Sequence, residues 1–177
     1  MAFALWSSER GGWDRCAMTS TAQGHVVQGT IGPNEHRTYR LALNPAWEVT
    51  SLFVQPGEGR APLELSRGEQ GWSSDDPVLA STMSSLGGCL DVHLDFTPAA
   101  IAPMLRRMAL EVDAHGDTDV VHVSGDALTV RRGSVTVSHL SAYHWLLDTA
   151  GVSANVHLGA AGLVAEHQGG WTAMAIG

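Results

Sequence analysis

Along Cys89-Leu-Asp-Val-His-Leu-Asp-Phe96 the side chains alternate strictly: Leu90, Val92, Leu94 and Phe96 share one face, and Asp91, His93 and Asp95 the other. A two-residue period fits an extended strand and does not fit a helix. The same signature recurs. Thr38 to Leu43 and Trp47 to Gln55 read as strands joined by an Asn44-Pro45 turn. Arg106 to Val112 places Met108, Leu110 and Val112 on one side, and Val120–Ser124, Leu128–Arg131, Val135–Leu140 and Val152–Leu158 are short, Val-rich runs bounded by Gly or Asp. Such closely spaced strands predict a mainly β fold, an antiparallel roll, sandwich or barrel, rather than alternating βαβ units. One or two short helical turns are expected after Thr97, a good N-cap followed by Pro98, with Pro103 ending them.

No composition break or fixed repeat divides the 177 residues, so one ligand-binding β domain over 1–177 is expected. All ten basic residues are Arg, which removes lysine Schiff-base, PLP and Walker-type phosphate chemistry. The net charge of −8 argues against a nucleic-acid partner. The two cysteines, Cys16 and Cys89, form neither a disulfide framework nor a CxxC pair and are expected to be reduced and unpaired. The opening Met1-Ala-Phe-Ala-Leu-Trp6 lacks the features of a signal peptide, and no apolar run reaches the ~20 residues that span a bilayer. A cytoplasmic protein with no stable membrane insertion is the expectation. The oligomeric state is left open.

From Gly133 onward the only charged side chains are Asp148 and Glu166, and strands such as Val152–Leu158 carry small or apolar residues on both sides. Strands of that kind are covered on both faces or line an apolar cavity. No GxSxG, HExxH or strand-linked GxGxxG is present. Asp113, His115, Asp117, Asp119 and His122 gather metal-capable groups without the EF-hand spacing, and read as a polar hairpin turn, so no metal and no cofactor is expected.

His93 between Asp91 and Asp95 can act as an imidazole whose basicity is raised by neighbouring carboxylates, changing charge near neutral pH. The same face can equally be a solvated strand surface. Tyr143 and Trp145 on one strand face, and Trp47 opening another strand, are rings that line pockets or fill cores.

Leu86-Gly-Gly-Cys89-Leu-Asp91-Val-His93-Leu-Asp-Phe-Thr97-Pro98, followed by Leu105-Arg106-Arg107-Met-Ala-Leu110, resembles the putative glycolipid-binding protein family, with its Gly-Cys, Asp-x-Asp strand, Thr-Pro turn and paired Arg. Pro45-Ala-Trp47-Glu-Val-Thr, Gly71-Trp72, Ser141-Ala-Tyr143-His-Trp145, Gly162-Leu163-Val164 and Gly169-Gly170-Trp171 continue the similarity in order. The resemblance implies curled antiparallel half-barrels, like bacterial lipoprotein carriers, around an apolar ligand cleft. His93 stands where the family has the second acid, Ala99-Ala-Ile-Ala102 replaces polar residues, and Trp145 replaces a Tyr, changes that suit a different ligand.

Two functions follow. The first is binding of an apolar, lipid-like or glycolipid-like small molecule by Asp91, His93, Tyr143, Trp145 and Trp47. The alternative is a cofactor-independent cyclase or isomerase acting on a polyketide-like or terpenoid-like substrate, with His93 and Asp91 as its acid–base groups.

Overall fold

A computed structural model describes residues 1–9, 11–33, 36–57, 59–125, 127–168 and 170–177. Gly169, part of the Gly169-Gly170-Trp171 motif, lies outside them. Fourteen strands form one large, curled, unclosed sheet: β1 (Ala2–Ser8), β2 (Trp13–Thr21), β3 (Gly24–Gly32), β4 (Arg37–Leu43), β5 (Val49–Gln55), β6 (Leu63–Gly68), β7 (Gly71–Ser73), β8 (Asp91–Leu94), β9 (His115–Ser124), β10 (Thr129–Ser141), β11 (His144–Thr149), β12 (Val152–Leu158), β13 (Val164–His167) and β14 (Trp171–Ile176). Two short helices, α1 (Ala80–Ser85) and α2 (Ile101–Met108), lie in the connection between the two runs of strands.

The spatial order is β7-β6-β5-β4-β3-β2-β1-β14-β13-β12-β11-β10-β9-β8. β1–β7 and β9–β14 are therefore up-and-down meanders, β8 adds to the second at its edge, and the halves join where β1 meets β14 at the centre of the sheet, Ala4 opposite Ile176. Every pairing among the described strands is antiparallel except β8 with β9. The Trp6 indole reinforces the join by donating to the Val164 carbonyl at 2.6 Å.

Alternation decides which side chains face the concave side. In β4 the sequence Arg37, Tyr39, Leu41, Leu43 turns inward and Thr38 and Arg40 outward. Leu41, Val27, Leu52 and Leu65 make one buried row across β4, β3, β5 and β6. Burying each such side chain contributes about 1.5–3 kcal/mol. The connecting segment supplies a large part of the core: Leu86, Cys89, Leu94, Phe96, Ala99, Ile101, Met104 and Leu105 are all buried. The 3-10 turn Pro98–Ala100, capped by Thr97 as its sequence predicts, packs on β3, β8 and β13 and so bridges the halves.

That plug is tied down at one polar seam. Asp14 is fully buried on β2, receives the Tyr39 hydroxyl at 2.9 and 3.1 Å, and accepts a short hydrogen bond from Thr97 Oγ1. Gly29 makes room: a Cβ there would stand 2.3 Å from the Tyr39 hydroxyl.

Several expectations are corrected. Arg106 to Val112 is not a strand: α2 runs through Met108, and Ala109 leaves it in the left-handed conformation at φ 47°. Pro103 does not end the helix, because it occupies the first turn, where its missing N–H has no intrahelical partner to lose. Residues 115–124 form β9 rather than a polar turn, sending Asp117 and Asp119 outward to Thr136 and Arg132 and His122 inward. Thr129–Arg131 and Val135–Leu140 belong to one 13-residue strand, β10, while Leu128 lies in the turn before it. β12 is not covered on both faces: Val156 is buried, whereas Ser153, Asn155 and His157, on its convex side, are exposed. Cys16 and Cys89 are both buried and free.

Burial raises the Asp14 carboxyl from its ordinary 3.8 to about 7, against the lowering effect of the Thr97 and Tyr39 hydroxyls. A raised carboxyl stays protonated in the folded protein while the unfolded chain ionises, so its contribution falls as pH rises from about 4 to about 7 and is level beyond. Asp14→Asn is expected to remove that dependence. The stability of the variant relative to the parent should climb across this window by up to about 4 kcal/mol in urea unfolding series; a pH-independent difference would contradict the assignment.

Candidate functional site

In the C-terminal half, cross-strand pairing gathers one inward face. His93 on β8 stands opposite His122 on β9, with the rings 5.1 Å apart and edge to face. Val120, Val135, Val137, Leu147 and Val156 are the apolar floor, all buried. A second row runs His139, Trp145, Val156, His167 across β10, β11, β12 and β13. The 3-10 turn Pro98–Ala100 packs on both β8 and β13, at the two ends of this face.

The polar atoms on this face are poorly served. Both ring nitrogens of His122, Nε2 of His139, Nε1 of Trp145 and Nδ1 of His167 are buried and receive no hydrogen bond from the protein. Leaving one buried donor or acceptor unsatisfied costs about 1–3 kcal/mol, so an apolar face carrying five such atoms is not explained by packing.

His93 does not change charge near neutral pH. Burial first, then His122, His167 and Arg131, push its pKa from 6.5 to about 4. Burial and Arg131 lower His122, opposed by Asp95, and burial lowers His167. All three rings are neutral at pH 7.

The expected carboxylate partner is occupied elsewhere. Asp91, 1% exposed, takes Arg107 in a fork with Nε at 2.8 and 3.0 Å and a terminal nitrogen at 2.6 Å, and also accepts from Thr118 at 2.8 Å. This ion pair fastens α2 to the edge of the sheet. Asp95 is exposed and accepts from the Gly125 amide.

The aromatic candidates separate. Trp145 is buried and lies 3.7 Å from the parallel ring of His139. Tyr143 is not on its strand: it occupies the β10–β11 turn, 55% exposed, 6.5 Å from the His157 ring. Trp47 precedes β5 in a turn, left-handed at φ 67°, with His25 stacked 3.5 Å away and Arg106 4.6 Å above its ring. Arg106 also reaches the carbonyls of Ala161 and Gly162, so Trp47 belongs to a clamp between α2 and both halves. The structure thus puts His93 and Trp145 on the same face but in different rows: His93 with His122, level with Arg131, and Trp145 with His139 and His167, eight residues further along β10; Tyr143 stands outside. His122 and His139 carried a signal, as each extends a Val alternation by one inward position; His167 carried none.

Among the described residues no group of three or more His, Cys, Asp or Glu side chains has the geometry of a metal site. No described helix is long and apolar enough to cross a membrane.

Removing the Arg107 guanidinium leaves Asp91 buried without its partner. Arg107→Met should destabilise the protein by about 3–5 kcal/mol, and adding Asp91→Asn should recover a large part of it, as read by denaturant midpoints. Equal losses in single and double variants would show that the pair does not hold α2.

A model of the family described as putative glycolipid-binding matches residues 4–173. The crystal structure of a DUF1089 family protein from Pseudomonas aeruginosa, at 1.80 Å resolution, overlays with a TM-score of 0.73, covers 94% of each chain and is 20% identical, which establishes a common fold. No curated protein matches. On a match that runs from the first strand to the last, the chain belongs to the putative glycolipid-binding family.

Proposed function

We propose that the histidine-lined concave face of the C-terminal half binds an apolar, lipid-like or glycolipid-like molecule. The observation that carries this reading is the set of buried, unpartnered nitrogens on an otherwise aliphatic surface. A core selected for stability alone would replace His122 with an aliphatic residue, whereas a ligand with a polar end and an apolar body makes use of both parts of the face. The family's description points the same way. His93 and Trp145 are the sequence-derived residues we retain as ligand contacts. Asp91 acts through Arg107 by holding α2 in place, Trp47 positions the rim, and Tyr143 stands beyond the face.

Binding is favoured over turnover by the state of the acid–base candidates. The Asp91 carboxylate is engaged by Arg107 and Thr118, and an imidazole held near pKa 4 is a weak base at neutral pH. Val120, Val135, Val137 and Val156 are fully buried, so a long chain enters only if α2 and the turn before it give way. The Thr97, Arg107 and Arg106 contacts are the ties that would release.

His122→Leu separates a site from a core. It removes two unsatisfied nitrogens and should stabilise the fold by about 1 kcal/mol or more in denaturant unfolding. The same variant should lose affinity for a fluorescent fatty-acid probe such as cis-parinaric acid at least fivefold. Raised stability with unchanged probe binding would sink the proposal.

A further inference from the structure

In the middle of the sheet the outer face is apolar where a solvated strand surface would carry charge. Alternation in β1 and β2 turns Phe3, Leu5 and Trp13 outward, while Ala4, Trp6 and Asp14 turn inward. Met174, the residue skipped at the register shift between β1 and β14, joins them: Leu5, Trp13 and Met174 border a shallow groove of about 300 Å³, with Arg15 as its fourth wall. The Trp13 indole lies along β3 because Gly32 has no side chain; a Cβ there would stand 2.8 Å from the ring. Phe3, Trp13 and Met174 are all exposed.

Arg15 also borders a second groove on this face, of about 470 Å³, whose lining includes Gln28, Thr30, Thr38, Arg40 and Phe53. Register sets Arg15 beside Thr30 and Arg40 beside Gln28, so the two arginines flank β3. Both are exposed, and neither makes an ion pair among the described residues. On β14 and β1 to β5 no outward side chain among the described residues is acidic. Carboxylates stand at the margins: Glu9 in the turn after β1, Glu64 opposite Phe53 on β6, and Glu166 opposite Thr172 on β13. The net charge of −8 includes the two arginines, so the rest of the chain carries −8 − 2 = −10.

We propose that this outer face docks the protein reversibly on an anionic membrane surface, with Phe3, Leu5, Trp13 and Met174 set into the headgroup boundary and Arg15 and Arg40 on lipid phosphates. The charge layout orients the approach, since an anionic bilayer attracts the two arginines within a Debye length and repels the acidic remainder. An indole favours the boundary itself, its ring being apolar and its N–H polar. The Arg stems bury their methylenes while the guanidinium groups stay with the phosphates. Strands β1 and β2 are paired along both edges, so side chains enter the interface and no unpaired backbone does. A second copy of the chain fits this face poorly: a two-fold contact would bring Arg15 and Arg40 of both protomers together with no carboxylate between them. The inference is independent of the histidine-lined face, which lies on the concave side.

The test is co-sedimentation of the full-length protein with sucrose-loaded vesicles of phosphatidylcholine alone or with about 30 mol% phosphatidylglycerol. Partitioning onto the anionic vesicles should be at least tenfold stronger at low salt, and about 0.5 M NaCl should remove most of that preference. Arg15→Gln combined with Arg40→Gln should weaken partitioning onto the anionic vesicles at least tenfold. Trp13→Thr, which places a good strand former at an exposed position, should weaken it at least fivefold and keep the salt dependence. No pelleting, equal pelleting with both kinds of vesicle, or unchanged pelleting in both variants overturns the proposal. A concentration-dependent dimer that forms without vesicles and is dispersed by Trp13→Thr also overturns it and assigns the face to a second copy. Should circular dichroism show that a variant does not fold, the salt-sensitive preference of the parent protein for anionic vesicles decides alone.

Discussion

A sheet curled into one trough has a concave face that must be covered, and in this chain the cover comes from a single stretch between β7 and β9. The stretch is short, so its residues are placed by what they must fill. Phe96, Ile101, Met104 and Leu105 are drawn into the core by hydrophobic burial. The polar ties then set its position: Thr97 to Asp14, Arg107 to Asp91, and Arg106 to the 161–162 backbone. A charge or hydroxyl at each contact reaches a partner distant in sequence, which gives the plug one seating where apolar packing alone would tolerate several.

The two halves of the concave face differ in their side chains. On β2–β6 one half carries aliphatic groups and the Asp14 carboxyl, hydrogen-bonded by Tyr39 and Thr97. The other keeps four imidazoles and an indole on its surface or at its margin, three of the imidazoles held uncharged by burial and, at His93 and His122, by the nearby Arg131. The same low dielectric that makes these rings costly when unpaired makes them selective when a ligand pairs them. Stability and recognition thus compete on one surface, and His122 is where the competition is sharpest.

Much of the strand layout was legible because alternation is a direct image of a sheet with one wet and one dry side. Val152–Leu158 matches β12 at both ends, and the Thr38–Leu43 run differs from β4 by one residue. The first three strands are not among the segments that alternation picks out, because β2 inverts the usual polarity: Asp14 points in and Trp13 is 38% exposed. In α2 the helical spacing Ile101, Met104, Leu105, Met108 was masked by Pro103, which is harmless in a first turn. The site was half visible. His93 stood out from its own strand, but its neighbour His122 comes from β9, and the other polar rings of the face come from β10, β11 and β13 in a separate row. Asp91 shows the opposite failure: a carboxylate two residues from an imidazole looked like a base partner, and the deciding neighbour, Arg107, lay on a segment whose alternation resembled another strand.

The central position of β1 and β14 has a consequence for biosynthesis. Ribosomes deliver the amino-terminal strand first, yet one of its two edges finds its partner only when the last six-residue strand has emerged. Apart from the parallel β8–β9 pair, both halves are built from sequence-adjacent hairpins, whereas the contact between Ala4 and Ile176 is among the most distant the chain makes. During translation the nascent protein therefore carries an open, apolar edge in the middle of its eventual sheet, a template for pairing with other chains. Completing the sheet therefore requires the closing of its centre rather than the addition of an outer strand.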